Sequence, residues 1–172
     1  GICSIAGNVI TVITGGDCVV VVTKAGDVNY SEASTTVTVK IAKGTQTALV
    51  ATADNTSLTY NKDSAVETDL STTGGSGSGA VSYAVAAASA TICSLDGNTV
   101  KVLRPGICSV TATKAADPYF NAATATVTIT IAKSAQDALV AKVAPGELLK
   151  PLWNGTNTTQ IIITGGEDRK SV

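Results

Sequence analysis

Residues 106–133 read GICSVTATKAADPYFNAATATVTITIAK, and this stretch decides the fold. In its second half Val127, Ile129 and Ile131 alternate with Thr126, Thr128 and Thr130. A period of two puts apolar side chains on one face of a strand and hydroxyls on the other. In its first half Cys108, Val110 and Ala112 alternate with Ser109, Thr111 and Thr113 in the same way. The stretch also has a double: residues 16–43 read GDCVVVVTKAGDVNYSEASTTVTVKIAK. The match extends over residues 1–51 and 91–141, without a gap, at an offset of 90, with 25 of 51 positions identical. A period of that length is a domain rather than a solenoid unit, so the chain is expected to form beads on a string.

Working outward, strands are predicted at 46–52, 66–73, 80–86, 91–95, 98–103, 107–114 and 124–132. Turn residues separate them. Asp96-Gly97-Asn98 suits a tight hairpin, and Arg104-Pro105-Gly106 suits a turn with Pro at its second position. The GGSGSG run at 74–79 lies inside the period and reads as a long loop within a domain. Seven short strands in about 90 residues predict an all-β fold of tandem immunoglobulin-like antiparallel β-sandwich repeats. Residues 1–42 are then the C-terminal half of one repeat, 43–132 a complete repeat, and 133–172 the N-terminal half of a third. For that third repeat, SAQDALVA (134–141) matches GTQTALVA (44–51), and Gly165-Gly166 matches Gly74-Gly75 after one inserted residue.

Composition bears on function by exclusion. The formal net charge is −1 and neither sign clusters, so no basic face with stacking aromatics is set up for nucleic acid. No apolar run approaches the roughly 20 residues of a membrane-spanning helix, and no membrane insertion is expected. The chain has no His, which excludes the usual catalytic triads and most metal centres. Asp and Glu are sparse and scattered, and the expectation is a non-enzyme. No cofactor is expected either. Asp27 and Asp117 occupy matching loop positions where calcium would bind at a junction, but no dense D-x-D cluster supplies the six or more oxygens it needs. The absence of an initiator Met and of a signal peptide marks the chain as a mature or excised piece of something longer.

The four cysteines form two pairs with the same spacing, Cys3 with Cys18 and Cys93 with Cys108. Four buried free thiols would fit, because Cys packs as a small hydrophobe. Zinc fits less well, since the intervals are not short C-x-x-C spacings. The reading adopted is one disulfide in each repeat, tying the two sheets together at one end and implying an oxidising, extracellular or cell-surface location. A bridge closing about 15 residues contributes roughly 3 kcal/mol in the chain-entropy model.

The segments Gln46 to Leu49, Gly74 to Val85, Cys93 to Asn98, Gly106 to Asp117 and Asn121 to Lys133 together resemble the bacterial Ig-like repeats of very large secreted or surface-anchored proteins, giant adhesins among them. The resemblance covers nearly the whole middle repeat. It implies a domain type used as spacer, adhesive unit or appendage, with neighbouring Ig-like repeats as partners and no catalytic motif to carry over. The expected function is a structural repeat of a surface adhesin or fibre. An accessory carbohydrate- or ligand-binding module is the alternative, and it would need clustered aromatics. The complete repeat supplies Tyr60, Tyr83, Tyr119 and Phe120, and the loop pair Tyr119-Phe120 is replaced by Asn29-Tyr30 in the first repeat.

The two half-repeats are complementary. Placing 133–172 before 1–42 leaves only the counterparts of Ser82–Ala90 missing. Two expectations follow: a window of a long array, or a unit that self-associates head to tail into a filament through its split ends. Where the middle repeat has Ser109 and Thr111, the first has Val19 and Val21. The third has Ile161-Ile162-Ile163 where Ser71 stands in the complete repeat, with the single Trp153 nearby. These six residues are the candidate inter-subunit contacts.

Overall fold

A computed structural model describes residues 1–143 and 161–166. The chain divides into two units, Gly1–Ala132 and Lys133–Val172. The described residues are all-β, with one short 3-10 turn at Ala87–Ser89.

The first unit opens with two hairpins. β1 (Cys3–Ala6) pairs with β2 (Val9–Val12), and β3 (Gly16–Lys24) with β4 (Ala33–Ile41). Eight further strands follow: β5 (Leu49–Ala53), β6 (Ser57–Thr59), β7 (Glu67–Gly74), β8 (Val81–Val85), β9 (Cys93–Asp96), β10 (Thr99–Val102), β11 (Gly106–Lys114) and β12 (Ala123–Ala132). They form two four-stranded sheets, in the orders β5-β7-β10-β9 and β6-β12-β11-β8. One apolar cluster lies between the sheets. Leu70, Cys93 and Val100 come from one side, and Cys108, Val110, Val127, Ile129 and Ile131 from the other. The alternation in 106–133 is therefore realised as written: the Cys/Val/Ala and Val/Ile/Ile sets face the core, and the threonines face outward.

Every pairing in β1–β4 repeats a pairing of β9–β12 with both partners 90 positions lower. Cys3↔Val12 mirrors Cys93↔Val102, and Cys18↔Val39 mirrors Cys108↔Ile129. The turns repeat as well. Gly7 and Gly97 both take positive φ (60° and 63°) ahead of an Asn, and no described non-glycine residue has positive φ. That is the pattern of a type II′ hairpin turn, in which glycine stands first.

Two features depart from the sequence expectation. β6 is a strand that periodicity does not reveal, being only three residues, and it pairs parallel to β12 (Thr130↔Ser57) in an otherwise antiparallel arrangement. The chain crosses to it through Asn55, whose Oδ1 accepts from Ser57 N (2.9 Å) while its own N–H donates to Thr68 Oγ1 (3.0 Å). A short polar side chain thus replaces the ladder while the strand changes sheets.

The second unit contains β13 (Val140–Val143) and β14 (Ile161–Thr164), paired antiparallel. Val140↔Thr164 and Val143↔Ile161 correspond to Val50↔Thr73 and Ala53↔Leu70 of β5–β7. Beyond each hairpin a glycine turns back: an added Cβ on Gly74 would overlap Ala48 O, and one on Gly165 would overlap Ala138 O. Only glycine permits that approach, at φ of 78° and 94°.

Candidate functional site

The structure joins Cys3 to Cys18 and Cys93 to Cys108 as disulfides, with Cα atoms 5.8 and 5.9 Å apart. Cys93 lies on β9 and Cys108 on β11, so the second bridge ties the two four-stranded sheets together. Cys3 and Cys18 join β1–β2 to β3–β4 in the same way. No described cysteine is free.

Around these two equivalent bridges the burial differs sharply. Val22, Val37 and Val39 are 53%, 49% and 36% exposed, whereas their counterparts Ala112, Val127 and Ile129 are 0%, 7% and 0% exposed. Cys18 is the one buried apolar residue of β1–β4. The cause is topological. β12 and β11 are covered by β5 and flanked by β6 and β8, and no strand in the described residues does this for β4 and β3. The result is an apolar sheet face, with its inward-type side chains aligned, open to solvent.

The second unit presents the reverse case. β13 and β14 reproduce the strand pair that covers β12, and their covering face is also open. Leu139 and Ile161 are 67% and 65% exposed, against 8% and 3% for Leu49 and Leu70. Ile163 shares the face of Ile161, while Ile162, at the position of Ser71, points the other way. Val19 and Val21 likewise lie on the face of β3 opposite Cys18, Val20 and Val22. Of the candidate contact residues, Ile161 and Ile163 therefore belong to the face that corresponds to core. Val19, Val21 and Ile162 lie on outer faces, and Trp153 falls outside the described residues. Sequence reasoning missed Val22, Val37 and Val39 as surface residues, because they stand at the positions that are core in the equivalent strands β11 and β12.

A polar clamp closes one end of the 43–132 set. Gln46 is buried and donates through Nε2 to Asn121 O (2.7 Å) and Ala115 O (3.3 Å), and its Oε1 accepts from Gly77 N (3.3 Å). Asp117 Oδ1 accepts from Tyr119 N and Phe120 N (2.8 Å each), and Oδ2 accepts from Ser78 N (2.6 Å) and Ser78 Oγ (3.2 Å). The Ser78 amide foremost, then those of Phe120 and Tyr119, hold this carboxyl down at about 2. The GGSGSG stretch is thereby pinned to the 115–121 loop. Asp27 makes the first half of this clamp only, accepting from Asn29 N (2.8 Å) and Tyr30 N (3.0 Å). At the same end, Gly15 N donates to Pro118 O (3.0 Å), which joins the β1–β4 hairpins to the 43–132 set.

The aromatic residues do not assemble a platform. Tyr60 and Tyr83 pack against the core cluster, Phe120 lies against Gly44, and the exposed Tyr119 and Tyr30 sit on two separate loops. Among the described residues no group of three or more His, Cys, Asp or Glu is arranged to hold a metal ion, Asp27 and Asp117 included. No described helix is long and apolar enough to cross a membrane. No family model, curated protein or solved structure significantly matches the chain.

Proposed function

We propose that this chain is a non-catalytic structural piece of an extracellular fibre or surface adhesin, built from immunoglobulin-like repeats of about 90 residues. The strand order carries the reading. Taking β5, β7, β8, β9, β10, β11 and β12 as strands A to G gives sheets A-B-E-D and G-F-C. This order is the one expected of a constant-type immunoglobulin sandwich, with β6 added beside G, and it supports the reading. The repetition of pairings at 90 residues and of the sheet-to-sheet disulfide supports a serial arrangement, and structural disulfides suit an oxidising compartment. Such modules act through reach and stiffness, because each one folds around its own core.

A carbohydrate-binding module is the competing reading, and it is tested directly. A glycan array probed with the 172-residue chain is expected to show no selective binding. Selective binding that disappears in Tyr119→Ala would replace the structural reading with the binding one.

A further inference from the structure

We propose that loop 115–121 is the receiving surface for the turn at 14–16 and for the connecting peptide 42–48, and that the three together lock β1–β4 to the 43–132 set at one fixed angle. The inference rests on the reading of residues 1–132 as serial immunoglobulin-like repeats. It deepens that reading by naming the contact that gives the series its stiffness.

Residues 42–48 run from the end of β4 at Ile41 to the start of β5 at Leu49. A free tether of that length would let the two sides swing. This one is bonded to the complete set at successive points. Lys43 O accepts from Asn121 Nδ2 (3.3 Å), Gly44 N donates to Tyr119 O (2.8 Å) and Gly44 O accepts from Asn121 N (2.9 Å). Gln46 follows with its two bonds to Ala115 O and Asn121 O, and Thr47 N donates to Ser76 Oγ (3.1 Å). Gly44 and Phe120 form a parallel bridge, and a Cβ on Gly44 would stand 3.3 Å from the Phe120 ring. The connector therefore lies flat on the loop.

The turn between β2 and β3 reaches the same place. Gly15 N donates to Pro118 O (3.0 Å), and an added Cβ on Gly15 would come 2.6 Å from Lys43 Cγ and 3.2 Å from Lys43 N. One residue thus touches both the loop and the connector. Its equivalent in the complete set is Pro105, which has no N–H to give. The two turns are otherwise bonded alike. Ile13 N and Thr14 N donate to Ile2 O (2.9 and 3.1 Å), as Leu103 N and Arg104 N do to Ile92 O (2.8 and 3.2 Å). Gly15 does not take a positive φ either. Glycine at 15 is required by the contact and not by the turn.

The loop is a firm seat for both. Asp117 N donates to Phe120 O (3.0 Å) while its carboxylate accepts from the amides of Tyr119 and Phe120, so 117–120 is closed on itself. Asp27 closes 27–30 with the same three bonds, which shows that the shape is set locally. In the complete set, Gln46 and Ser78 then hold the closed loop from two further segments. Pro118 O and Tyr119 O are therefore presented by a loop that cannot readily turn away. Bonding to a preorganised partner spares the ordering cost on one side, and that is what lets a few backbone bonds fix an angle.

Residual dipolar couplings of the disulfide-intact 172-residue chain test this. The amides of β1–β4 and of 43–132 are expected to fit one common alignment tensor. The Gly15 amide should exchange with solvent at least about tenfold more slowly than in an unstructured peptide. Gly15→Pro copies Pro105, so the turn should persist while the donor is lost. Each set should then still fit a tensor of its own, and the common fit should disappear. Separate tensors in the wild-type chain overturn the proposal, and so does a common tensor that survives Gly15→Pro. The wild-type couplings and the Gly15 exchange rate decide the matter even where that variant fails to fold. Separate tensors without glycan binding would remove the joint and leave the structural reading standing. Selective glycan binding with a common tensor would remove that reading and keep the joint.

Discussion

The hairpins β1–β4 and the strands β9–β12 share their register, their turns and their bridge, yet one set has a core and the other has a face in water. Ile129 is fully buried and Val39, at the same place in the same ladder, is 36% exposed. The difference teaches that the ladder and the disulfide are sufficient to shape the strands, while burial depends on whether β5–β8 or their equivalents are present. Backbone pairing is local; the hydrophobic gain is not.

The strongest test of that comparison is a matched pair of truncations under dilute, monomeric conditions. Ile129→Ala should destabilise the 43–132 core by about 2–5 kcal/mol, as large-to-small changes at buried sites do. Val39→Ala should cost under about 1 kcal/mol, in the range of surface changes. Urea unfolding followed by circular dichroism would resolve them, and equal losses would mean that Val39 is already covered.

Removing the bridges should separate the two sets next. Each closes a loop of the same length, with cysteines 15 residues apart, and each is worth about 3 kcal/mol in the chain-entropy model. Consequences should nonetheless differ. Without Cys93–Cys108 the sheets of the complete set still share Val100, Val110 and Ile129. Without Cys3–Cys18, whose Cys18 is the one buried apolar residue of its set, β1–β2 should lose its amide protection. Hydrogen exchange on the two double-alanine variants reads this out, and persistent protection of β1–β2 would show that something besides the bridge holds it.

The smallest effect concerns the clamp. Asp117 has a folded pKa depressed to about 2 from an ordinary 3.8. A depressed carboxyl stabilises above its unfolded pKa and loses that contribution as pH falls through the folded value. The melting temperature should therefore contain a component that declines from about pH 4 to about pH 2. Asp117→Asn should lack it, and identical pH profiles for the two proteins would refute the role of the Ser78 contact.

Much of the fold was legible because the strands follow a period of two and the turns use glycine, asparagine and proline where their geometry requires them. The bounds of β9 through β12 fall within about two residues of those expected from the alternation. β6 was not legible: three residues, Ser57-Leu58-Thr59, are too few to show a period, and a parallel partner 73 positions away leaves no local trace. Gln46 was equally silent, since a lone glutamine gives no sign that it will be buried with carbonyls from 115 and 121 within reach. For the candidate surface, substitution against the repeat drew attention to Val19, Val21 and Ile162, which lie on outer faces. The larger apolar surface, at Val22, Val37 and Val39, looked like core.

By itself the sequence determined the alternating strands from β9 to β12, the spacing of the cysteine pairs and the equivalence of 1–42 with 91–132, because each of these depends on neighbours along the chain or on a short turn. Only the tertiary structure decided which of two equivalent strand sets is buried. That outcome is set by packing against strands 25 to 73 residues away, and no local pattern encodes whether those strands are there.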